Sequence, residues 1–323
     1  VLPHPGHLHG NEAAMTTTHA PARRWFARIL SLITLTTLGL GTGLGVAAAA
    51  PTVPVLAPGA SLGLELGLTA AHNLRDLGGY QTVDGRTVVH GKVYRSDQFN
   101  PMNDADKAKL ASTPIRTVFD LRTVAERDAA PDELPAGWQH RPINVLADEA
   151  SAMAAEAGAI MHDPAKLTAE FGRPGLVDEI FEQTYRQLVY LPSALQGFGD
   201  LYRALGDPAQ QAGVFHCATG KDRTGWAAAA LLTLLGVPRE TVYADYLRSN
   251  EYLLPHYAPM IDKFVAAGGS RDLITTFLDV RTPWLDAAFD EMTKRYGTIE
   301  NYFATGLGID AGQQAALKDQ LLR

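Results

Sequence analysis

Two periods of apolar patterning alternate along the chain. Short runs rich in β-branched residues at 87–94, 115–121 and 212–216 predict strands, and the stretches between them carry helical spacing. Leu195, Phe198, Leu201, Tyr202 and Leu205 form one helical, core-facing stripe, and Gly206 is placed to end that helix in a left-handed conformation. Beyond residue 222 the pattern is mainly helical: 226–235 is apolar, Pro238 opens a further helix, and helical patches run on to Leu322. The alternation predicts an α/β domain whose C-terminal half packs as a helical layer on the sheet. The segment 146–172, rich in Ala, Met, Glu and Gly, breaks the alternation and is expected to be a helical insertion over a site, a lid within 146–180. Residues 51–67 mix Pro, Gly, Ala and Leu without a sustained period, so they read as a linker and the domain is expected over 68–323. Within that linker Gly59-Ala60-Ser61-Leu62-Gly63 fits the hydrolase pattern G-x-S-x-G, but it lacks the strand before and the helix after that the pattern requires.

Composition narrows the function classes. With 46% hydrophobic and 20% charged residues, the 323-residue chain can bury a full core. Its formal charge of −7 offers no basic field for nucleic acid or an anionic membrane surface. A lone cysteine excludes an intramolecular disulfide framework and a cysteine-rich zinc site. Residues 21–50 begin with Arg23, Arg24 and Arg28, continue through the uncharged stretch 29–50 and end in four alanines, the order of a secretory signal. Arg23-Arg24-Trp25-Phe26 resembles a twin-arginine export signal, so the protein is expected to be exported, with membrane contact only through that segment if it stays uncleaved. Residues 1–14 lie upstream of a start expected at Met15, which leaves His4, His7 and His9 without weight as a metal cluster. Removing residues 1–50 takes away three arginines and one glutamate and leaves a net charge of −9.

The chemistry concentrates in Gly213-Val214-Phe215-His216-Cys217-Ala218-Thr219-Gly220-Lys221-Asp222-Arg223-Thr224-Gly225, an apolar strand running through a small-residue loop into a helix. Such a loop turns backbone N–H groups inward and the helix start adds partial positive charge, a setting that holds an anion. Cys217 opens the loop and Arg223 closes it, so the thiol sits at the floor while the guanidinium reaches two oxygens of a phosphate. The same field favours the thiolate, the nucleophile that phosphoryl transfer to sulfur needs. A nucleotide-binding loop is excluded, because six residues separate Gly213 from Gly220 and Asp222, not Ser or Thr, follows Lys221. A merely buried cysteine does not call for His, Lys, Asp and Arg around it.

His216-Cys217-x5-Arg223-Thr224 resembles the signature of the cysteine-dependent protein tyrosine phosphatases. Lys221 and Asp222 inside the loop, together with Asn73-Leu74-Arg75-Asp76-Leu77-Gly78-Gly79, Tyr94-Arg95-Ser96-Asp97 and Phe119-Asp120-Leu121-Arg122, are similar to the bacterial secreted tyrosine/phosphoinositide phosphatase group. The resemblance spans roughly 68–323 and implies the tyrosine phosphatase fold, a small, mostly parallel sheet flanked by helices. It further implies hydrolysis of phosphate monoesters on a phosphorylated protein or phosphoinositide, through a phosphocysteine and without a cofactor or metal. Ala218, Thr219, Gly220, Lys221 and Thr224 would contact the phosphate, with Thr224 donating to the sulfur as it leaves. A leaving phenolate needs a proton, and Asp222 at the loop rim is the favoured donor; many tyrosine phosphatases take the acid from a separate mobile loop instead, and Asp120, at the C-terminal end of a strand, keeps that alternative open. Asp120 has an equally weighted structural role, paired with Arg122 or Arg95. His216 is expected to orient the loop, Lys221 to point its charge toward the entrance, and Arg75, Asp76 and Gly78-Gly79 to form a tight turn beside the loop. A catalytically silent phosphate-binding module of the same fold is the rival class; sulfur transfer or arsenate reduction is weaker still, for want of resolving cysteines.

Overall fold

The computed structural model describes residues 56–148, 163–210 and 212–323, so the signal segment and 149–162 of the expected lid lie outside the described residues. Five strands form the sheet: β1 (Arg75–Asp76), β2 (Val93–Ser96), β3 (Thr117–Asp120), β4 (Gln139–Pro142) and β5 (Gly213–His216), in spatial order β1-β2-β5-β3-β4. Only β1 runs antiparallel, against β2. β5 is buried along its whole length, as a central parallel strand covered on both faces must be. Its alternation shows both coverings: Phe215 joins the large core under the C-terminal helices, and Val214 joins the smaller core with Leu62, Leu74, Phe99 and Leu110 on the other face. In the register Ser96, His216 and Asp120 stand side by side, so the carboxyl ends of three strands finish level, where open α/β sheets place their sites.

The helices are α1 (Leu62–Glu65), α2 (Asp104–Ala111), α3 (Val124–Ala129), α4 (Pro164–Phe171), α5 (Leu176–Tyr190), α6 (Pro192–Leu205), α7 (Arg223–Leu234), α8 (Arg239–Ala266), α9 (Arg271–Leu278), α10 (Thr282–Tyr296), α11 (Ile299–Asn301), which runs into a π turn at Tyr302–Gly306, and α12 (Ala311–Leu321). α7 is buried nearly all round, because the sheet lies on one side and the C-terminal layer on the other. From residue 164 onward the segment expected as a lid belongs to that layer: Leu167 and Phe171 are core residues, and α5 packs on α10 through the stacked rings of Phe181 and Trp284, 4.2 Å apart.

Three expectations shift. The strand expected at 87–94 begins only at Val93, because Thr87 and Val89 bond instead to the chain's last residues, Arg323 and Leu321, and Gly91 turns at φ +75°. Gly206 ends α6 at a right-handed φ of −84°, its N–H closing on the Tyr202 carbonyl at 3.0 Å. In the stretch expected as linker, Ser61 is neither exposed nor raised on an elbow. It caps α1, accepting from the Leu64 N–H at 3.1 Å and donating to the His72 carbonyl at 2.7 Å, and Leu62 behind it is buried.

Candidate active site

The loop 217–222 joins β5 to α7, and its shape follows from where its carbonyls are tied. Ala218 O accepts from the Gln98 N–H at 3.2 Å, Thr219 O and Gly220 O accept from the Asn73 side-chain amide at 3.2 and 3.1 Å, and Gly220 O also accepts from Arg95 at 2.8 Å. In a trans peptide the N–H points opposite the carbonyl, so the amides of Thr219, Gly220 and Lys221 face into the loop. Only glycine serves at 220: its φ is +67°, and a Cβ there would lie 2.3 Å from the Ser96 carbonyl oxygen. Cys217, at the loop's start, is 1% exposed.

Arg223 is oriented from behind by Glu126, whose carboxylate accepts from both terminal nitrogens at 2.7 Å. That end-on fork leaves the Nε–H and the second N–H of a terminal nitrogen for a bound oxyanion, and Nε has no other partner among the described residues. Glu126 is itself fixed as the third residue of α3, in a reciprocal capping box with Thr123. Burial alone would raise its pKa, but the Arg223 charge overcomes this and holds the carboxyl below the usual range. Thr224 Oγ1 is likewise buried without a partner among the described residues.

Asp222 and Lys221 sit on the helical side. The Tyr185 hydroxyl donates to Asp222 at 3.0 Å and meets the Tyr246 hydroxyl at 2.8 Å, while Lys221 Nζ lies 3.1 Å from the Asp222 carboxylate. Lys221 does not point toward the entrance: it is 2% exposed, its ammonium held 4.5 Å over the Phe181 ring and 5.4 Å from that of Trp284. Burying a charge so deeply requires this compensation from a carboxylate and two π faces.

Asp120 ends β3, at the C-terminal end of a strand as expected, and lies buried behind the loop. It is fully buried, accepts from Arg122 Nε and Nη2 at 2.9 and 2.8 Å, and is bridged by His140 at 3.1 Å, which leaves it no approach to a leaving group. Arg95 instead joins Arg75 on Asp245, at 2.7 and 2.8 Å. The two guanidiniums drive the Asp245 carboxyl far below its ordinary range against its burial. Arg75 therefore reaches the loop through Asn73, which it also bonds, and belongs to β1 rather than to a turn. Asp76 faces away and shapes the turn, accepting from the Gly78 and Gly91 N–H groups at 2.8 Å each. Asp97 lines the small pocket beside Ala218, and burial pushes its carboxyl up to about 6 although the His72 and Asn73 N–H groups bond it. Asp120, Asp132 and His216 meet the spacing of a metal cluster, yet the Arg122 guanidinium already forms ion pairs with both carboxylates at 2.8 and 2.9 Å.

The structure thus places Cys217 and Asp222 on the loop and Arg223 at the start of the helix that follows it, and adds Glu126, Asp132 and Tyr185, which motif reasoning did not single out. Thr123-x-x-Glu126 was visible as a capping box, a signal for a helix start only. Residues 66–323 match the tyrosine phosphatase family. A Cupriavidus necator protein named as a tyrosine-protein phosphatase is 28% identical over 250 residues, 77% of this chain and 86% of its own length. The triple specificity protein phosphatase PtpB of Mycobacterium tuberculosis is 28% identical over 266 residues, 73% of this chain and 91% of its own.

Proposed function

The chain belongs to the tyrosine phosphatase family, and from that premise we propose that it hydrolyses phosphate monoesters through a phosphocysteine intermediate. The Cys217 thiolate attacks phosphorus, forming P–S as the P–O bond to the leaving group breaks, and Asp222 passes its proton to the departing oxygen. Water then attacks phosphorus, gives a proton back to Asp222, and releases phosphate and thiolate. Loop amides and the free side of Arg223 hold the equatorial oxygens, gaining as the transferring group flattens. Thr224 Oγ1 is available to donate to sulfur when it leaves, and Tyr185 with Lys221 positions Asp222 and stabilises the carboxylate left by proton transfer.

The observation that carries this reading is the double orientation at the loop: carbonyls tied outward on one side, and Arg223 locked end-on by Glu126 on the other. Cys217→Ser is expected to abolish hydrolysis of an aryl phosphate while keeping vanadate binding; hydrolysis near the parent rate sinks the mechanism. Phosphotyrosine, phosphoserine/threonine and phosphoinositides are the proposed substrates, sorted by phosphate release from a panel of each. Export is proposed from residues 23–50 and is tested by fractionating cells that express the full chain.

A further inference from the structure

His216 precedes the nucleophile, is fully buried, and both its ring nitrogens face acceptors. Nδ1 lies 3.1 Å from the Cys217 carbonyl oxygen, which has no hydrogen to offer. Nε2 lies 2.9 Å from Asp132 Oδ2 and 3.8 Å from Asp120 Oδ1. The closer contact is an ion pair set off the in-line direction of a hydrogen bond, but a bare nitrogen lone pair at that distance would repel the carboxylate. Each nitrogen therefore needs a proton, and the ring is an imidazolium.

The surroundings of the ring agree. Two buried carboxylates, Asp120 from β3 and Asp132 from the loop after α3, share a single guanidinium, Arg122. Both carboxylates therefore keep their negative charge in a low-dielectric setting beside the ring and draw further cations to it. His140 of β4 bridges the same carboxylates from the surface at 3.1 and 3.5 Å, and those contacts raise it to about 9. Directly after β2, Asp97 adds a further acidic group within reach of the ring's charge, and the Phe99 ring stands edge-on to His216 at 5.4 Å. Burial alone would strip the His216 proton, and the two carboxylates reverse that tendency.

We propose that Asp132 is a positioning residue for the nucleophile: its carboxylate holds His216 as a fixed imidazolium, which donates to the Cys217 backbone and sets a positive charge against the thiolate. The proposal rests on the reading of Cys217 as nucleophile, but its test does not need turnover. Cys217 is the only cysteine in the chain, so alkylation by uncharged iodoacetamide reports this sulfur alone. The sign of the change separates positioning from mere proximity. Removing a nearby negative charge, with the ring still charged, lowers the pH midpoint of alkylation or leaves it still. Losing the imidazolium raises it.

In Asp132→Asn the midpoint is expected to rise by about one pH unit, so that alkylation below it slows about tenfold. An unchanged or lowered midpoint in a folded variant overturns the proposal. On the unaltered protein, nitrogen-15 spectra of labelled histidine are expected to show both His216 ring nitrogens protonated at pH 7, and a single protonated nitrogen there overturns it without any substitution. If the parent protein hydrolyses no aryl phosphate while both results hold, the proposed function fails and the role of Asp132 stands. If it hydrolyses phosphate and the midpoint does not rise, only the role of Asp132 fails.

Discussion

Glu126 touches no substrate in the scheme above, yet the Arg223 geometry depends on it. Replacing it by glutamine keeps the side-chain length and one carbonyl acceptor, and glutamine still completes the capping box with Thr123. What disappears is one of two charge-assisted bonds to Arg223 and the carboxylate that neutralises a buried guanidinium. A hydrogen bond to a charged group contributes about 1.5–3 kcal/mol. If a loss of about 2 kcal/mol falls on the transition state, because Arg223 can now tilt, kcat/KM for an aryl phosphate drops about 30-fold. Glu126→Ala removes the guanidinium's hydrogen-bonded carboxylate and is expected to cost about 3–5 kcal/mol of folding stability, read from urea denaturation. The Glu126 carboxyl is held below its unfolded value, so the pair's contribution is full above that value and lost only as pH falls through the depressed one. The activity gap between parent and Glu126→Gln should therefore hold from neutral to mildly acidic pH. A Glu126→Gln protein with kcat/KM within threefold of the parent, at unchanged stability, refutes the idea that Glu126 aims the arginine.

Three further outcomes follow from the same geometry. Gly220→Ala forces a Cβ against the Ser96 carbonyl at a positive φ, and is expected to lower stability by at least about 1–2 kcal/mol and to remove phosphate-analogue binding; a stable variant that binds vanadate contradicts the loop argument. Tyr185→Phe deletes the hydroxyl on Asp222, and its fall in kcat is expected to be about tenfold for alkyl phosphates and small for nitrophenyl phosphate, whose leaving group scarcely needs a proton; equal losses on both refute a positioning role. Asp97 is raised to about 6 by burial, so the folded state favours its protonated form and the parent loses stability from this group as pH climbs from about 4 to 6; Asp97→Asn is expected to erase that part of the pH dependence, and superimposable stability profiles refute it.

How far the fold was readable follows strand by strand. β5 and β3 announced themselves because a central parallel strand is apolar on both faces, and so is its sequence. β4, Gln-His-Arg-Pro, is an exposed edge strand with no apolar pattern to read, and the two residues of β1 are a buried Arg and a half-buried Asp that look like a turn. The start of β2 was misplaced because the residues before it pair with the C-terminus, more than 200 positions away.

The site divides along the same line. Cys217 through Thr224 is one continuous stretch of backbone, so the spacing of nucleophile, loop amides and arginine is set by covalent geometry and legible in the order of residues alone. The partners that aim those groups come from afar: Glu126 stands 97 residues from Arg223, Asp245 stands 170 from Arg75, and Asn73 stands 147 from Gly220. A charged side chain carries no mark of which opposite charge it will meet, because that choice is made when burial removes water and only the partner within reach can replace it. Sequence alone therefore determined the reactive loop, and the folded chain decided which carboxylates hold it in working order.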